Sequence, residues 1–319
     1  MTEVMDALPG IEQIRAAATR IAPHARLTPV MRSPVLDALS GAELHFKCEH
    51  LQRGGAFKFR GACNAVWALS DAQAAHGVVT HSSGNHGNAL ALAAATRGIA
   101  AHVVVPDGAV RAKVEAIERA GAILHRCAPN QAAREARAAE VQQATGAVLV
   151  HPYADTQVMA GQGTLALELL QQVSGLDTLI TPVGGGGLAS GVAIAAHAID
   201  PGLSLFGAEP EGADDAAQSL ASGQRVTSVV PDTVCDGLRA LIGATNIDAL
   251  RQHRVQLITV SDAEIIAAMQ LIWTELKQVV EVSSATVLAA ILKQPERFAG
   301  RRVGLVISGG NVDLQALPW

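Results

Sequence analysis

Lys58 is a basic residue on a helix face that the sequence predicts to be buried. In the stretch GGAFKFRGACNAVWAL, the residues four, seven, eight and eleven positions after Lys58 are Ala62, Ala65, Val66 and Leu69, so the lysine begins an apolar stripe. A free ammonium is costly to bury unless it is paired or loses its charge. The lysine is therefore either a surface amine whose stem packs on the core, or a neutral amine that attacks a carbonyl carbon and forms a Schiff base.

The stretch THSSGNHGNALAL offers an anion site. A strand is predicted to end at about Ser82 and a helix to start near Asn88, so the loop of Ser83 to Gly87 lies at a helix N-terminus. Main-chain N–H groups and the helix dipole attract a carboxylate or a phosphate there. An ordinary strand-to-helix turn with a polar cap is the alternative. The side chains that would add hydrogen-bond donors are Ser83, Asn85 and His86.

Four consecutive glycines, 184 to 187, follow a buried strand and precede a helix in LITPVGGGGLASGVAIAAHAI. Without side chains, successive N–H groups can curl around an anion, which favours a phosphate site over a simple tight turn. A dinucleotide site is a rival interpretation. Gly184, Gly186 and Ala189 fit the pattern G-x-G-x-x-A, and Glu209 ends the next strand, where a ribose-binding acid would lie.

Ser308 directly follows the last clear strand, in RVGLVISGGNVDL. Ligands of open α/β sheets bind beyond the carboxyl ends of the strands, so Ser308 is placed to contact one. A turn that merely ends the strand is the alternative.

The elements that position these loops form two series of alternating strands and helices. The first, from about residue 77, has the strand-like runs GVVTHSS, AHVVVP, AILHRC and AVLVHP; the second has DTLITPV, LSLFGAEP, VQLITV and RVGLVIS. Short β-branched runs between helical patterns predict an α/β protein with two doubly wound open sheets. We expect a small domain of residues 77–152, inserted in a large domain of residues 1–76 and 153–319.

The composition indicates a globular protein that acts on small molecules. Of the 319 residues, 49% are hydrophobic, 17% charged and 3% aromatic, and the net charge is -5. That charge, with no Lys/Arg block, argues against nucleic acid or a membrane surface as a partner. The four cysteines have no paired spacing, and neither a basic leader nor a long apolar run occurs. These features predict reduced thiols in a cytoplasmic protein.

The motifs FKFRGA, SSGNHG, GGGGL and SGGN, in this order and spacing, resemble the fold-type II pyridoxal-phosphate enzymes. The match is to the serine/threonine dehydratase and serine racemase family, and it covers nearly the whole chain. KCEHLQ, AGQGTLALEL, AEPEGADDA and DGLRALIG agree as well. The resemblance implies a fold like that of the tryptophan synthase β-subunit, with pyridoxal 5'-phosphate held covalently by Lys58. It also implies a homodimer.

The resemblance assigns further roles to residues of the motifs. Phe57 would flank the cofactor ring, Asn85 would bind its phenolic oxygen, and Ser308 would face its pyridine nitrogen. Its phosphate would be wrapped by Gly184, Gly185, Gly186, Gly187 and Leu188. The substrate carboxylate would lie on Ser82, Ser83, Asn85 and His86, the loop identified above as an anion site.

The activity that the resemblance implies is β-elimination from a β-hydroxy α-amino acid, which gives a 2-oxo acid and ammonia, with Lys58 taking the Cα proton. Serine, threonine, 3-hydroxyaspartate and phenylserine are all open as substrates. Ser83 supports an alternative, a serine or aspartate racemase, because dehydratases of this family often have alanine there. A nicotinamide-dependent oxidoreductase is a distant alternative, and a non-catalytic binder of a phosphorylated ligand is more distant still.

The segment EPEGADD resembles the family's divalent-cation site. Its ligands would be Glu209, the carbonyl of Ala213 and Asp215, and such oxygen donors suit Mg²⁺, Mn²⁺ or Ca²⁺.

The chain departs from the family at EVSSA, residues 281–285, where relatives read EPSGA. The wall beside the cofactor ring is therefore expected to differ from that of the relatives.

Overall fold

The structure, a computed structural model, describes residues 7–319 as two β-sheets flanked by helices. The strands are β1 (Val30–Met31), β2 (Glu43–Cys48), β3 (Val78–Thr80), β4 (Ala101–Pro106), β5 (Ile123–Cys127), β6 (Val148–Leu149), β7 (Thr178–Pro182), β8 (Ser204–Pro210), β9 (Gln256–Val260) and β10 (Arg302–Ile307). The α/β class predicted from the sequence is confirmed.

The helices of the described residues alternate with these strands. They are α1 (Ile11–Ile21), α2 (Pro34–Ser40), α3 (Lys58–Ala68), α4 (Asp71–Ala74), α5 (Asn85–Arg97), α6 (Arg111–Arg119), α7 (Gln131–Thr145), α8 (Thr156–Gln172), α9 (Gly187–Ile199), α10 (Asp215–Ser222), α11 (Ala244–Gln252), α12 (Asp262–Leu271) and α13 (Val282–Lys293). Within residues 7–319 no helix has both the length and the apolar character needed to span a membrane.

The larger sheet has the strand order β1-β2-β10-β7-β8-β9, and the smaller one β5-β4-β3-β6. The paired strands are parallel except that β1 runs antiparallel to β2. The carboxyl ends of the parallel strands in each sheet therefore lie at one edge, where the loops that follow them can form a site. Strand β2 was not among the predicted strands, although the alternation of Leu44, Phe46 and Cys48 signals it.

The smaller sheet is formed by β3 to β6, within residues 78–149. The larger sheet combines β1 and β2, which precede this segment in the chain, with β7 to β10, which follow it, as an inserted small domain requires. Helix α3, which precedes that segment, packs against α5 as well as α8. Phe59 and Ala62 of α3 also share a hydrophobic cluster with Val78 and Ala89. The expected domain boundaries at residues 76/77 and 152/153 stay a prediction.

A buried ion network anchors α3. The guanidinium of Arg60 donates to both carboxylate oxygens of Glu49, at 2.7 and 2.8 Å, and to both of Glu168, at 2.7 Å each. Arg60 and Glu49 have no exposed surface. Lys47 of β2 also donates to Glu168, at 2.9 Å. Because α3 begins at Lys58, this network fixes the position of that lysine.

Candidate active site

Lys58 is the first residue of α3, and the predicted apolar stripe is present behind it. Ala62, Ala65 and Val66 are buried and Leu69 is half-buried, while Lys58 itself is partly exposed. The Nζ atom donates to the carbonyl of Pro152 at 2.9 Å. It lies 5.1 Å from the centre of the Phe57 ring. The amine is therefore held against Pro152 and Phe57 rather than free in bulk solvent.

Burial lowers the pKa of Lys58 to about 8, and the nearby carboxylate of Glu281 opposes this effect. Burial penalises the charged ammonium, whereas a negative neighbour stabilises it. A substantial fraction of the amine is neutral near pH 8, so Lys58 can act both as a nucleophile and as a proton acceptor.

The pH dependence of cofactor attachment should report this pKa. In cofactor-free protein, the rate of covalent attachment of pyridoxal phosphate is expected to rise with pH and level off above about 8, because the neutral amine is the nucleophile. In Glu281→Gln the negative charge is gone, so the rise should move to lower pH. Stopped-flow absorbance measures both profiles. A rise centred at the usual lysine pKa of about 10.4 would contradict the assignment.

The loop after β10 is joined directly to the lysine segment. The N–H of Phe57 donates to the carbonyl of Ser308 at 2.9 Å, and the N–H of Gly310 donates to the carbonyl of Gly55 at 2.9 Å. Ala56 and Gly309 form an isolated antiparallel bridge. The structure therefore packs the loop after β10 against the segment that leads into Lys58.

Ser308 is a buried, neutral residue held by its neighbours. Its Oγ lies 3.0 Å from the Oγ of Ser284. The Ser284 hydroxyl accepts from the N–H of Gly309 and donates to the Gly309 carbonyl, both at 2.7 Å. Ser284 belongs to the divergent segment EVSSA, so this departure from the family supplies a hydroxyl that fixes the Ser308 loop.

Helix α5 begins at Asn85, three residues before the predicted start near Asn88. Gly84 is its N-cap residue, and the N–H of Asn88 already donates to the Gly84 carbonyl at 3.1 Å. Asn85 and His86 therefore belong to the first helical turn instead of a free loop. Ser82 and Ser83 are half-buried just before it. The N–H groups at this helix N-terminus remain suited to a carboxylate.

Asn85 and Glu281 form a contact that the sequence analysis missed. The Asn85 Nδ2 atom donates to both carboxylate oxygens of Glu281, at 2.9 and 3.0 Å, and the Asn85 Oδ1 atom accepts from Asn311 Nδ2 at 2.9 Å. Burial raises the pKa of Glu281, and the hydrogen bond from Asn85 opposes this rise. These contacts place the start of α5 beside Glu281 and beside Asn311, which follows β10.

His86, in the first turn of α5, is buried. Its Nε2 lies 3.2 Å from the carbonyl of Val150, and since a carbonyl only accepts, Nε2 carries the proton. Its Nδ1 has no hydrogen-bond partner among the described residues. Burial, together with the positive charge of Lys58, holds the pKa of His86 well below its usual value, so the ring is neutral.

The glycine loop is packed so closely that only glycine fits. Gly186 has φ 88°, a conformation that side chains rarely tolerate. A Cβ at Gly185 would overlap the ring of Tyr153, and one at Gly187 would meet the Tyr153 backbone at 3.0 Å. Among the described residues, no recorded hydrogen bond uses the main-chain N–H groups of residues 184–188. These N–H groups can bind an anion together, so the loop can serve as an anion cradle.

Tyr153 and Asn246 shape this cradle, and the sequence analysis missed both. The Asn246 Nδ2 atom donates to the carbonyl of Gly185 and, at 3.0 Å, to that of Tyr153. Pro152, which precedes Tyr153, accepts from Lys58. The segment of Pro152 and Tyr153 therefore connects the reactive amine to the glycine loop. This segment lies between the motifs SSGNHG and GGGGL, which could have indicated a structural role. Neither proline nor tyrosine at these positions is by itself a signal of a functional site.

Gly185→Ala should weaken cofactor binding. The new Cβ must displace the Tyr153 ring, and overpacking of that kind costs about 1–3 kcal/mol. We expect the dissociation constant for pyridoxal phosphate to rise ~10–100-fold, since each 1.4 kcal/mol is tenfold. Fluorescence titration of cofactor-free protein measures it. Gly10→Ala, where only Gln13 is near, is the control and should change nothing.

The residues present fit pyridoxal phosphate. The glycine loop offers unpaired N–H donors to a phosphate, and Lys58 offers an amine of lowered pKa to an aldehyde. The segment of Pro152 and Tyr153, which contacts both, holds the two groups near each other.

The predicted cation ligands lie at the end of β8 and the start of α10. Glu209 is fully buried and accepts from the N–H groups of Ala216 and Ala217, at 3.3 and 2.8 Å; Asp215 accepts from the N–H of Ile242 at 2.7 Å. Burial raises the pKa of both carboxyls. Ala213 is buried in the turn between them. No group of three or more His, Cys, Asp or Glu side chains in residues 7–319 is arranged to hold a metal.

Comparison with known proteins agrees with the fold. The model of the family "pyridoxal-phosphate dependent enzyme" matches residues 21–309. The chain belongs to this family, and the resemblance inferred from its motifs is confirmed. This assignment replaces the dinucleotide interpretation of Gly184, Gly186, Ala189 and Glu209.

Individual relatives are more specific. The chain is 49% identical to the β-hydroxyaspartate dehydratase of Paracoccus denitrificans, covering 98% of this chain and 99% of that protein. It is 48% identical to the serine racemase of Arabidopsis thaliana, covering 96% and 94%. Among solved structures, maize serine racemase matches with a TM-score of 0.95 at 47% identity, covering 97% of this chain and 95% of that one. The threonine deaminase of T.th. matches with a TM-score of 0.91 at 39% identity, covering 96% and 99%.

Proposed function

We propose that this enzyme is a pyridoxal-phosphate dependent ammonia-lyase, which converts a β-hydroxy α-amino acid to a 2-oxo acid and ammonia. The observation that carries the proposal is the amine of Lys58, whose pKa is lowered to about 8 and which is joined through Pro152 and Tyr153 to the glycine loop. The two halves of a pyridoxal-phosphate site, an attachment point and a phosphate cradle, thus meet on one cleft.

Each residue has a defined task in this reaction. When bound, the cofactor supplies an electron-withdrawing ring that stabilises negative charge at Cα. Lys58 would hold the cofactor covalently and would accept the Cα proton of the substrate. The N-terminus of α5 would bind the substrate carboxylate. Ser308 would offer the ring nitrogen a neutral hydroxyl in place of a carboxylate, which would weaken electron withdrawal and favour rapid loss of the β-hydroxyl.

We propose 3-hydroxyaspartate as the preferred substrate, on the strength of the 49% identity to a β-hydroxyaspartate dehydratase. The test is a panel of L-serine, L-threonine, 3-hydroxyaspartate and phenylserine, in which 2-oxo acid and D-amino acid are measured side by side. The highest kcat/KM for oxo acid formation should belong to 3-hydroxyaspartate. More D-amino acid than oxo acid from every substrate would overturn the choice of a lyase.

Racemisation is the second candidate, favoured by Ser83 and by the 48% identity to a serine racemase. The Ser83 hydroxyl, half-buried beside the α5 N-terminus, would return a proton to the opposite face of Cα. Ser83→Ala should therefore lower D-amino acid formation by ~10²–10⁴-fold, the usual contribution of a general acid or base, and lower oxo acid formation much less. Chiral chromatography measures both products. Equal losses would exclude a specific role for Ser83 in racemisation.

We also propose that Glu209, the Ala213 carbonyl and Asp215 bind Mg²⁺, Mn²⁺ or Ca²⁺. A divalent cation would offset the cost of ionising the two buried carboxyls. The resulting stabilisation should raise the unfolding temperature of chelator-treated protein on addition of Mg²⁺. In Glu209→Gln this rise should be lost, and an unchanged rise would place the cation elsewhere.

The remaining proposals concern the setting of the enzyme. We propose that it binds a small amino acid as substrate. We propose no binding to nucleic acid or to a membrane, in keeping with the net charge of -5. The four cysteines are unpaired, which supports a cytoplasmic location. A homodimer is proposed from the resemblance alone, and the mass in solution tests it.

A further inference from the structure

Two histidines that the proposed reaction does not use meet at the ends of two helices. His197 lies in the last turn of α9, and His253 is the C-cap residue of α11. Their Nδ1 atoms are 3.2 Å apart. Both rings are half-buried, so solvent reaches them. A helix C-terminus carries a partial negative charge, and two such ends at one point favour a cation.

The hydrogen bonds define which nitrogen of His197 can bind a metal. Its Nε2 lies 3.0 Å from the carbonyl of Leu203, and because a carbonyl only accepts, Nε2 carries the proton. The Nδ1 atom of His197 therefore accepts the hydrogen bond that the Nδ1–H of His253 donates, and a metal ion bound between the two rings would take the place of that proton. Histidines that bind metals are oriented in this way, with the other ring N–H donated to a carbonyl.

The separation of the two nitrogens fits one metal ion. Nitrogens bound to a single Zn²⁺ at ~2.0–2.1 Å, with a tetrahedral angle of about 109°, lie ~3.3–3.4 Å apart. The observed 3.2 Å is close to this value. A cavity of about 370 Å³, lined by both histidines, Pro9, Gly10 and Gln252, borders the pair. It leaves room for water or a small ligand at the remaining coordination positions.

We propose that His197 and His253 form a site for a nitrogen-seeking divalent metal ion of the Zn²⁺ class, with its open positions facing this cavity. It is separate from the oxygen-rich site proposed at Glu209 and Asp215, because imidazole ligands select Zn²⁺, Cu²⁺ or Ni²⁺ over Mg²⁺ and Ca²⁺. Burial, with the nearby His197, lowers the pKa of His253, which keeps this ligand neutral and available.

The test is calorimetric titration of the holoenzyme with Zn²⁺ in excess Mg²⁺, which occupies oxygen-rich sites. One equivalent should bind at pH 7.5, and binding should weaken below pH 6 because metal binding must displace protons from the imidazoles. His197→Ala and His253→Ala should each weaken Zn²⁺ binding by at least ~100-fold. Loss of a residue that only hydrogen-bonds to a metal ligand already costs up to ~100-fold in affinity, and these variants lose a ligand itself. Activity need not be measured, so the outcome does not depend on the proposed reaction.

A matched control uses the other close histidine pair. In His102 and His125, Nδ1 and Nε2 are 3.0 Å apart, but on neighbouring strands and without a recorded carbonyl partner. His102→Ala should bind Zn²⁺ like the parent. The proposal is overturned if the parent binds no Zn²⁺, if both His197→Ala and His253→Ala bind as the parent does, or if only His102→Ala loses binding.

Discussion

Lys58→Ala is expected to lower the rate of 2-oxo acid formation by at least ~10³-fold and to remove the visible absorbance that borohydride bleaches in the parent enzyme. A positioned general base alone contributes ~10²–10⁴-fold, and this substitution also removes the covalent attachment of the cofactor. The glycine loop and the N-terminus of α5 remain in place. Noncovalent pyridoxal phosphate should therefore still bind, with a dissociation constant that fluorescence titration can measure.

Lys293→Ala is the control for this experiment. Lys293, in the last turn of α13, pairs with Glu211 and Glu264 at 2.7 and 3.2 Å, and its loss should leave absorbance and activity unchanged. Circular dichroism should show both variants folded. If absorbance and activity both survived Lys58→Ala, another amine would hold the cofactor and the proposed site would be wrong.

Arg60→Met should destabilise the fold by about 3–5 kcal/mol, because it leaves buried carboxylates without their partner. Arg60 makes two hydrogen bonds to Glu49 and two to Glu168, and Glu49 has no exposed surface. The same substitution loosens α3, whose first residue is Lys58, so cofactor affinity should fall as well. Urea-induced unfolding followed by circular dichroism measures the change in stability.

Arg15→Met separates this effect from the loss of an ordinary ion pair. Arg15 pairs with Glu12 on an exposed face of α1 at 2.6 Å, and such pairs contribute about 0–1 kcal/mol. The two variants should therefore differ in stability by more than ~2 kcal/mol. Equal stabilities would mean that the network around Arg60 does not hold α3 in place.

The buried helix face behind Lys58 and the position of the glycine loop could be predicted from the sequence because their signals are local. The apolar stripe behind Lys58 repeats with the helical period, and the glycines at 184–187 stand between a strand and a helix. The alternation of β-branched runs with helical patterns likewise gave the α/β class and most strands. The order and spacing of the motifs FKFRGA, SSGNHG, GGGGL and SGGN indicated the family, which the comparisons confirm.

The start of α5 was predicted too late because the sequence has no strong N-cap signal there. Gly84 takes the N-cap position without a side-chain hydrogen bond, so Asn and His in the following turn resembled a loop. The tertiary structure decided the boundary, since Asn85 is held in the first turn by Glu281 and Asn311.

By itself the sequence determined the apolar stripe behind Lys58, the glycine loop between a strand and a helix and the alternation of strands and helices in the two sheets, all of which depend on residues close together in the chain. Only the tertiary structure decided that Glu281 meets Asn85, that Asn246 supports Gly185, and that His197 meets His253. These partners are 196, 61 and 56 residues apart. Periodicity fixes which face of an element is buried, but the packing of whole elements fixes which polar groups meet across it.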